Sequence, residues 1–194
     1  MSQKTKKPYK SASIIPYHKT TDGYIYLLCY EKDGNWCGAL GGHMDPSDRD
    51  SPWTNACREL GEELYDLKDQ ELQKYMKKIK RKALIKRIPV PFPKKRHYDY
   101  FCQWRKIACP AKTTPKEIVD NFQPNIEIKS VHWVKAEDLW SAIEDFSGPI
   151  YGKSGKQLWV STYEDPNLKR VRLRPCFLES CLHMYAKGKH LNHL

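Results

Sequence analysis

Residues 41–67 read GGHMDPSDRDSPWTNACRELGEELYDL, and the rest of the chain is interpreted outward from this stretch. Its second half has helical spacing, because residues three and four apart share one face of a helix. Ser51 followed by Pro52 is typical of a helix start, with serine as the N-cap and proline at the first helical position. The apolar face of the predicted helix, which we expect to pack on a core, comprises Ala56, Leu60, Leu64 and Leu67.

The polar face of this helix carries three carboxylates. Glu59, Glu62 and Glu63 lie within about one turn, directly after Arg58. Glutamate-rich helices are usually solvated surfaces, but a Gly-Gly pair and a loop of turn residues precede this one. Like charges so close together repel, and a multivalent cation among them relieves that repulsion. Hard oxygen ligands suit Mg²⁺ or Mn²⁺, so the stretch predicts a divalent-cation site.

The order of these residues resembles a Nudix box. That pattern is a glycine, five residues, a glutamate, seven residues, then Arg-Glu-apolar-x-Glu-Glu-x-Gly-apolar. Gly42 is followed after five residues by Asp48, which stands in place of the first glutamate. Nine residues separate Asp48 from Arg58, so the loop carries a two-residue insertion, and Asp50 is an alternative to Asp48. At the end of the box, the terminal glycine and apolar residue are replaced by Tyr65 and Asp66.

The resemblance implies a fold and a reaction. The fold is a Nudix-like α/β/α sandwich with a mixed β-sheet, here with a basic helical insertion and a C-terminal helix. The reaction is hydrolysis of a phosphoanhydride bond with Mg²⁺ or Mn²⁺ as cofactor. The implied metal ligands are the carboxylates of Glu59, Glu62 and Glu63 and the carbonyl of Gly41. A box glutamate (Glu62 or Glu63) or Glu127 would deprotonate the attacking water, and Arg58 would orient the carboxylates.

The remaining pattern agrees with an α/β domain. Strands are predicted at 11–18, 24–31, 98–108, 126–134 and 157–163, and helices at 69–87, 136–145 and 175–187. In the strand at 24–31 both alternating faces are apolar, so we expect it to be buried. Ile88 to Pro93 contains three prolines and is predicted to be an edge strand or linker. The predicted organisation is a flexible basic tail at 1–10, one domain at 11–187 and a second basic tail at 188–194.

Composition limits the partners. The chain has 194 residues and a formal net charge of +11, which predicts an anionic, phosphorylated substrate or RNA. No apolar run is long enough to span a bilayer. Seven cysteines without framework spacing and no apolar signal core predict an intracellular, cytoplasmic protein. No phosphate-binding loop, dinucleotide fingerprint or serine-centred elbow is present.

Two basic segments are candidates for binding the substrate. Lys80 and Arg81 belong to the lysine-rich helix predicted at 69–87, which is either a solvated surface or a phosphate-binding one. The second segment places basic residues before aromatic ones, a layout that suits phosphate contacts beside a stacked base, although aromatic strands are more often core. Its candidate residues are Lys94, Lys95, Arg96, His97, Tyr100 and Trp104.

The box does not choose the substrate. The aromatic residues beside the basic segment favour capped RNA or a nucleotide. A diphosphoinositol polyphosphate is the alternative substrate, since it requires basic side chains but no base-stacking ring. A third possibility is a nucleotide- or RNA-binding module whose catalysis has lapsed, which the aspartate substitution and the loop insertion favour and the intact Arg-Glu-x-x-Glu-Glu opposes.

Overall fold

The computed structural model of the protein describes residues 9–48, 51–79, 86–92, 95–108, 113–165 and 169–188. The strands are β1 (Tyr9–Thr20), β2 (Gly23–Glu31), β3 (Cys37–Gly38), β4 (Leu40–His43), β5 (Lys86–Phe92), β6 (Lys95–Gln103), β7 (Ile128–Lys135), β8 (Trp159–Ser161) and β9 (Arg170–Arg172). The helices are α1 (Pro52–Tyr65), α2 (Asp69–Ile79), α3 (Trp104–Ile107), α4 (Pro115–Asp120), α5 (Ala136–Glu144) and α6 (Pro175–Ala186). Among the described helices, none has the length and apolar character needed to cross a bilayer.

Seven strands form one mixed sheet. Its order is β3-β2-β1-β6-β5, with β4 also paired to β1 and β7 to β2. β1 and β6 are parallel, and the other pairs in this sheet are antiparallel. The proline-containing β5 lies at the edge, as predicted, where a missing N–H donor costs no ladder hydrogen bond.

Apolar side chains cover both faces of the sheet. Along β2, Ile25, Leu27 and Cys29 join a cluster with residues of α1 and α2. The alternating Tyr26 and Leu28 join a second cluster with residues of α5 and α6. A strand buried on both faces needs apolar residues at consecutive positions, which is what the sequence at 24–31 shows. The predicted α/β/α sandwich with a mixed sheet is therefore confirmed.

The sheet opens between β2 and β4. β6 runs along one edge of β1, so β4 and β2 must share the other edge. β4 pairs with residues 11–14 of β1, and β2 pairs with residues 17–20. The end of β2 at Glu31 and the Gly-Gly pair of β4 are thereby separated, and α1 packs beside this opening.

Three predicted boundaries were wrong. The helix predicted at 69–87 ends at Ile79, and residues 86–87 belong to β5. The strand predicted at 98–108 stops at Gln103, because residues 104–107 form the short helix α3. β1 begins at Tyr9, inside the segment predicted to be a flexible tail.

Candidate active site

Helix α1 begins as the sequence predicts. Ser51 has extended backbone angles, φ −100° and ψ 106°, and its hydroxyl accepts the Thr54 N–H at 3.2 Å. Pro52 takes the first helical position, where its missing N–H leaves no intrahelical bond unmade. The helix ends at Asp66, which adopts a left-handed conformation and donates its N–H to the Glu62 carbonyl. Local hydrogen bonds fix both ends of the helix, so the box residues keep one orientation about the helix axis.

Arg58 is the centre of a box cluster comprising Asp48, Arg58, Glu59, Glu62 and Glu63. Its Nε and Nη2 each donate to the Asp48 carboxylate at 3.2 Å. Nη1 donates to Glu62 and Nη2 to Glu59, both at 2.7 Å. Asp48 is only 1% exposed, so the guanidinium neutralises a buried charge. Asp48, the residue that stands in place of the first box glutamate, therefore lies beside the box arginine, and Asp50 lies outside the described residues.

The two glycines of β4 give the carboxylates room to approach the backbone. The Gly41 N–H donates to Glu63 Oε2 at 2.7 Å. A Cβ on Gly42 would lie 2.5 Å from Glu59 Oε1, and one on Gly41 would lie 2.4 Å from the Ala12 carbonyl oxygen. A side chain at Gly41 would collide with the backbone of β1, whereas one at Gly42 would displace the Glu59 carboxylate, so the Gly-Gly pair keeps room for both carboxylates.

Two asparagines connect the box to neighbouring loops. Asn55 donates to the His43 carbonyl at 2.9 Å, which fixes the end of β4 against α1. Asn125 donates to the Glu63 carbonyl at 2.8 Å and accepts the N–H groups of Glu127 and Ile128 at 3.0 and 2.8 Å. Asn125 thus ties Glu127 to α1. Sequence reasoning missed both residues, since a single asparagine in a loop gives no signal beyond a turn.

The opening in the sheet is a cleft of about 790 Å³. Its described lining is acidic, in contrast to the chain as a whole. The carboxylates in the lining are Glu31, Asp33, Glu63, Asp99 and Glu127, and the basic side chains are His43, His97 and Arg174. Arg174 itself is paired with Glu31 at 2.5 Å. The described cleft therefore holds more negative than positive groups, and an anionic substrate would need cations to enter it.

Burial perturbs the box carboxylates. It raises the pKa of Glu59 to about 7, although the Arg58 guanidinium works in the opposite direction. Burial, and next the Glu59 carboxylate, raise the pKa of Glu63 well above its usual value. Burial also raises the pKa of Glu62, again opposed by Arg58. These carboxylates are costly to ionise together, and a bound cation would relieve that cost.

The fit of a divalent cation rests on the donor set. Glu59, Glu62 and Glu63 provide hard oxygen ligands of the kind that Mg²⁺ and Mn²⁺ prefer. The carboxylates do not converge in this arrangement: across the described ranges, no three histidine, cysteine, aspartate or glutamate side chains are grouped to hold an ion. In this arrangement Arg58 donates to one oxygen each of Glu59 and Glu62, and Glu63 accepts the Gly41 N–H. The three carboxylates fit the ion by the chemistry of their oxygen donors.

The cleft has a second polar group, which we call the serine–histidine cluster: Ser11, Ser13, His97 and Asp99. β1 and β6 pair with Ser11 opposite His97 and Ser13 opposite Asp99. His97 Nε2 lies 2.7 Å from Asp99 Oδ1 and 3.1 Å from Ser13 Oγ, and His97 Nδ1 lies 2.9 Å from Ser11 Oγ. Ser13 Oγ also donates to Asp99. Of the four, sequence reasoning identified only His97.

The predicted substrate-binding residues divide into four groups, one of which is buried in the core. Lys80, Arg81 and Lys94 lie outside the described residues, and Lys95 and Arg96 are described only as backbone in β6. His97 lines the cleft, and its role in substrate binding stays a prediction.

Tyr100 and Trp104 correct the sequence prediction. They are 1% and 2% exposed and belong to the core cluster that contains α1. The Tyr100 ring packs on Trp53 with centroids 5.1 Å apart, and the Trp104 ring packs on Trp133 at 6.4 Å. These rings are not placed to stack on a substrate base. The alternation of β6 turns Tyr100 toward α1, whereas the cleft receives His97 and Asp99.

The cleft does hold an aromatic side chain that the sequence did not single out. Tyr151 is 54% exposed, lines the cleft and donates its hydroxyl to Glu179 of α6 at 2.7 Å. It lies in the loop before β8, and no periodic pattern marks it. Glu127, predicted from the resemblance, lines the cleft with Glu63 and Gly41.

No protein-family model matches the sequence, and no curated protein matches it. Solved structures similar in fold include a C. elegans Ap4A hydrolase binary complex (14% identity, 92% of this chain and 97% of that one, TM-score 0.45). Another is the Nudix domain of Shewanella oneidensis NrtR complexed with ADP ribose (11% identity, 70% of this chain and 78% of that one, TM-score 0.41). A third is a Nudix-family hydrolase from Clostridium perfringens (19% identity, 94% of this chain and 99% of that one, TM-score 0.39). These similarities concern the course of the chain alone.

Proposed function

We propose that this chain is a metal-dependent hydrolase of the Nudix type, which cleaves a phosphoanhydride bond in an anionic, nucleoside-diphosphate-linked substrate. The proposal starts from a fold and a box that resemble those of Nudix hydrolases. It depends on the chain's own residues at the opening of the sheet, where α1, β4 and the loop carrying Glu127 meet.

One observation carries the proposal: buried carboxylates are concentrated at one strand end of a basic protein. Glu63 is 8% exposed and accepts a hydrogen bond from the Gly41 N–H, and the Glu59 carboxylate packs against Gly42. Burial raises the pKa of both, so the fold maintains an arrangement that costs free energy when both are ionised. Strongly perturbed carboxylates beside a cleft mark a candidate functional site.

Each residue of the site has a proposed role. Glu59, Glu62, Glu63 and the Gly41 carbonyl would hold Mg²⁺ or Mn²⁺. The bound ion would neutralise phosphate charge and lower the pKa of a water molecule. Glu63 or Glu127, both in the cleft lining, would accept the proton of the attacking water. Arg58 orients the box carboxylates through charge-assisted hydrogen bonds.

Within the substrate class, the described cleft favours a nucleotide. A diphosphoinositol polyphosphate requires many basic contacts, and the described lining offers one arginine, already paired with Glu31. Tyr151 supplies an exposed ring at the cleft. Capped RNA stays a prediction that depends on the basic residues Lys80, Arg81 and Lys94 to Arg96.

Turnover with a panel of substrates tests the proposal. The panel contains capped RNA, a dinucleoside polyphosphate, ADP-ribose and a diphosphoinositol phosphate, each with Mg²⁺, with Mn²⁺ and with EDTA. We expect metal-dependent release of a phosphorylated product from at least one nucleotide. Glu63→Gln should lower kcat by about a hundredfold or more, the range of a lost acid–base group. The matched control is Glu71→Gln on the exposed side of α2, which should behave as wild type. Full activity of Glu63→Gln would overturn the assignment.

A second candidate is a nucleotide-binding module without catalysis. Two observations favour this candidate. Arg58 donates hydrogen bonds to two of the three box glutamates, and in the described part of the chain no three possible metal ligands are grouped together. Such a module would bind a nucleotide or RNA without Mg²⁺ and would lose RNA affinity steeply with salt. Absence of turnover across the panel, together with metal-independent binding, would favour it over the hydrolase.

A further inference from the structure

One large aromatic side chain is exposed at the cleft. Among the described residues, the most exposed large hydrophobic side chains are those of Ile126, Tyr151 and Trp159, at 89%, 54% and 44%. Of these three, Tyr151 lines the cleft that also contains Glu63 and Gly41. Single exposed hydrophobic residues are ordinary on a protein surface, so exposure by itself assigns no function. What distinguishes Tyr151 is the way in which the fold holds its ring.

Both ends of the Tyr151 side chain are anchored. At the backbone end, the neighbouring Ile150 packs on the core cluster that contains residues of α6. The Lys156 N–H donates to the Pro149 carbonyl at 2.8 Å, which closes the loop around the tyrosine. At the other end, the hydroxyl donates to Glu179 Oε2 of α6 at 2.7 Å. The long axis of the ring is therefore held in place, and a ligand that packs on the ring does not have to order it first.

The hydrogen bond to Glu179 also limits what can bind at the ring. Partial burial, and next this hydrogen bond, raise the pKa of the Tyr151 hydroxyl, so the hydroxyl keeps its hydrogen at neutral pH. That hydrogen is donated to the Glu179 carboxylate, which repels a second anion nearby. A phosphate group is therefore disfavoured at this position, whereas an uncharged flat group can pack on the face of the ring.

The wall that carries Tyr151 belongs to other elements than the box. Glu63 is a residue of α1, which packs on one face of the sheet. Tyr151 lies between α5 and β8 and is bonded to α6, which packs on the opposite face. Phe177 and Ser180 of α6 line the same cleft as Glu63. A ligand whose phosphates lie at Glu63 can therefore place an uncharged part against the wall formed by Tyr151 and α6.

We infer that Tyr151, positioned by Glu179, stacks on the base of a nucleotide substrate. The inference rests on the proposed function, in which the phosphates lie at the box carboxylates. The aromatic residues that the sequence predicts for this role, Tyr100 and Trp104, are buried in the core. Every base has a π-face, so stacking accepts purines and pyrimidines alike. It distinguishes a nucleotide from a phosphorylated ligand that has no base, such as a diphosphoinositol phosphate.

Calorimetric binding of two hydrolysis-resistant probes tests the inference, with Mg²⁺ present throughout. The probes are adenosine α,β-methylenediphosphate and methylenediphosphonate, which share the bridged phosphorus pair and differ in the nucleoside. Tyr151→Ala should weaken binding of the nucleotide probe about tenfold, as expected for the loss of one stacking ring. The same variant should change binding of methylenediphosphonate less than about twofold, because that probe has no base to stack.

Two further variants test Glu179 as a positioning residue. Tyr151→Phe keeps the ring without its hydroxyl, and Glu179→Ala removes the acceptor, so each should weaken the nucleotide probe about threefold. The double variant should bind no more weakly than either single variant, because both changes remove one hydrogen bond. Affinities are compared as the ratio of the two probes, since loss of the Glu179 charge alters the binding of both anions. Additive losses in the double variant would overturn the positioning role.

The matched control is Trp159→Ala. It removes an exposed ring that is not in the described lining of the cleft, so both affinities should stay at their wild-type values. Thermal midpoints show that each variant is folded. The inference is overturned if Tyr151→Ala weakens both probes equally, or neither, or if wild type binds neither probe.

Turnover of the substrate panel is scored separately from probe binding. A selective loss of the nucleotide probe in Tyr151→Ala, without any turnover in wild type, would keep the stacking role and remove the hydrolase. Metal-dependent turnover in wild type, without a selective loss in Tyr151→Ala, would keep the hydrolase and remove the stacking role.

Discussion

The box cluster and the serine–histidine cluster meet at one cleft but handle buried charge differently. In the box cluster one guanidinium is shared by Asp48, Glu59 and Glu62, so negative charge remains in excess. In the serine–histidine cluster the buried Asp99 carboxylate accepts the Ser13 hydroxyl hydrogen and lies 2.7 Å from His97 Nε2. The box cluster therefore shares one cation among several carboxylates, whereas the serine–histidine cluster surrounds a single carboxylate with polar neighbours.

The largest effect is expected from removing the guanidinium. Arg58→Gln leaves Asp48 buried without a countercharge, and breaking a buried pair in this way costs about 3–5 kcal/mol of the free energy of unfolding. Turnover should be lost as well, since Glu59 and Glu62 lose their orienting donor. Urea denaturation measures the first effect and the substrate panel the second.

An exposed ion pair provides the comparison for Arg58. Lys116 and Asp120 are paired on the surface of α4, and Lys116→Gln should cost less than about 1 kcal/mol. Equal losses from Arg58→Gln and Lys116→Gln would show that the box arginine does not compensate buried charge.

The two clusters also differ in how far sequence predicts them. The box cluster lies within residues 48–63, and the N-cap, the proline and the glutamate spacing are local features, so helix α1 was predicted with its correct start. The serine–histidine cluster joins β1 to β6 through a parallel pairing, and nothing in the spacing of Ser11 and Asp99 announces it. Only tertiary structure brings these residues together.

The misplaced aromatic residues have a similar cause. Trp104 was assigned to the strand predicted at 98–108, but the chain turns into α3 at that residue. The Tyr75 hydroxyl of α2 donates to the Ile107 carbonyl at 2.9 Å, and the Trp104 ring packs on Trp133. These long-range contacts hold a helical turn that local propensity does not mark. The phosphate-binding roles of Lys80, Arg81 and Lys94 to Arg96 remain predictions, because the side chains of these residues lie outside the described part of the chain.

The pH dependence of the free energy of unfolding tests the box cluster. Glu59 has a folded-state pKa of about 7, above its ordinary value of about 4.5, so between these values the folded state binds more protons than the unfolded state. The free energy of unfolding should therefore fall as pH rises from about 5 to about 7, by up to about 3 kcal/mol from this residue. Thermal midpoints measured in EDTA at each pH test the slope.

Two comparisons sharpen the titration. Glu59→Gln should flatten part of the slope, because it removes a group that is costly to ionise. Mg²⁺ at saturating concentration should flatten it in wild type, because the ion stabilises the ionised carboxylates. A slope of the opposite sign in EDTA would mean that the box carboxylates are already compensated within the protein.

The smallest of these effects comes from a comparison of two glycines, Gly41 in β4 and Gly152 in the loop of Tyr151. Gly41→Ala would bring a Cβ within 2.4 Å of the Ala12 carbonyl oxygen, a rigid neighbour, and should cost about 1–3 kcal/mol. Gly152, in the loop of Tyr151, has a φ of +89° and no atom within 4 Å of a built Cβ, so Gly152→Ala should cost only the backbone strain of about 1 kcal/mol. Urea denaturation gives both values, and turnover distinguishes them further: Gly41→Ala moves the N–H that Glu63 accepts, whereas Gly152→Ala leaves the box cluster untouched. If Gly152→Ala lowered turnover as much as Gly41→Ala, the close approach of Glu63 to β4 would not be what prepares the cleft for catalysis.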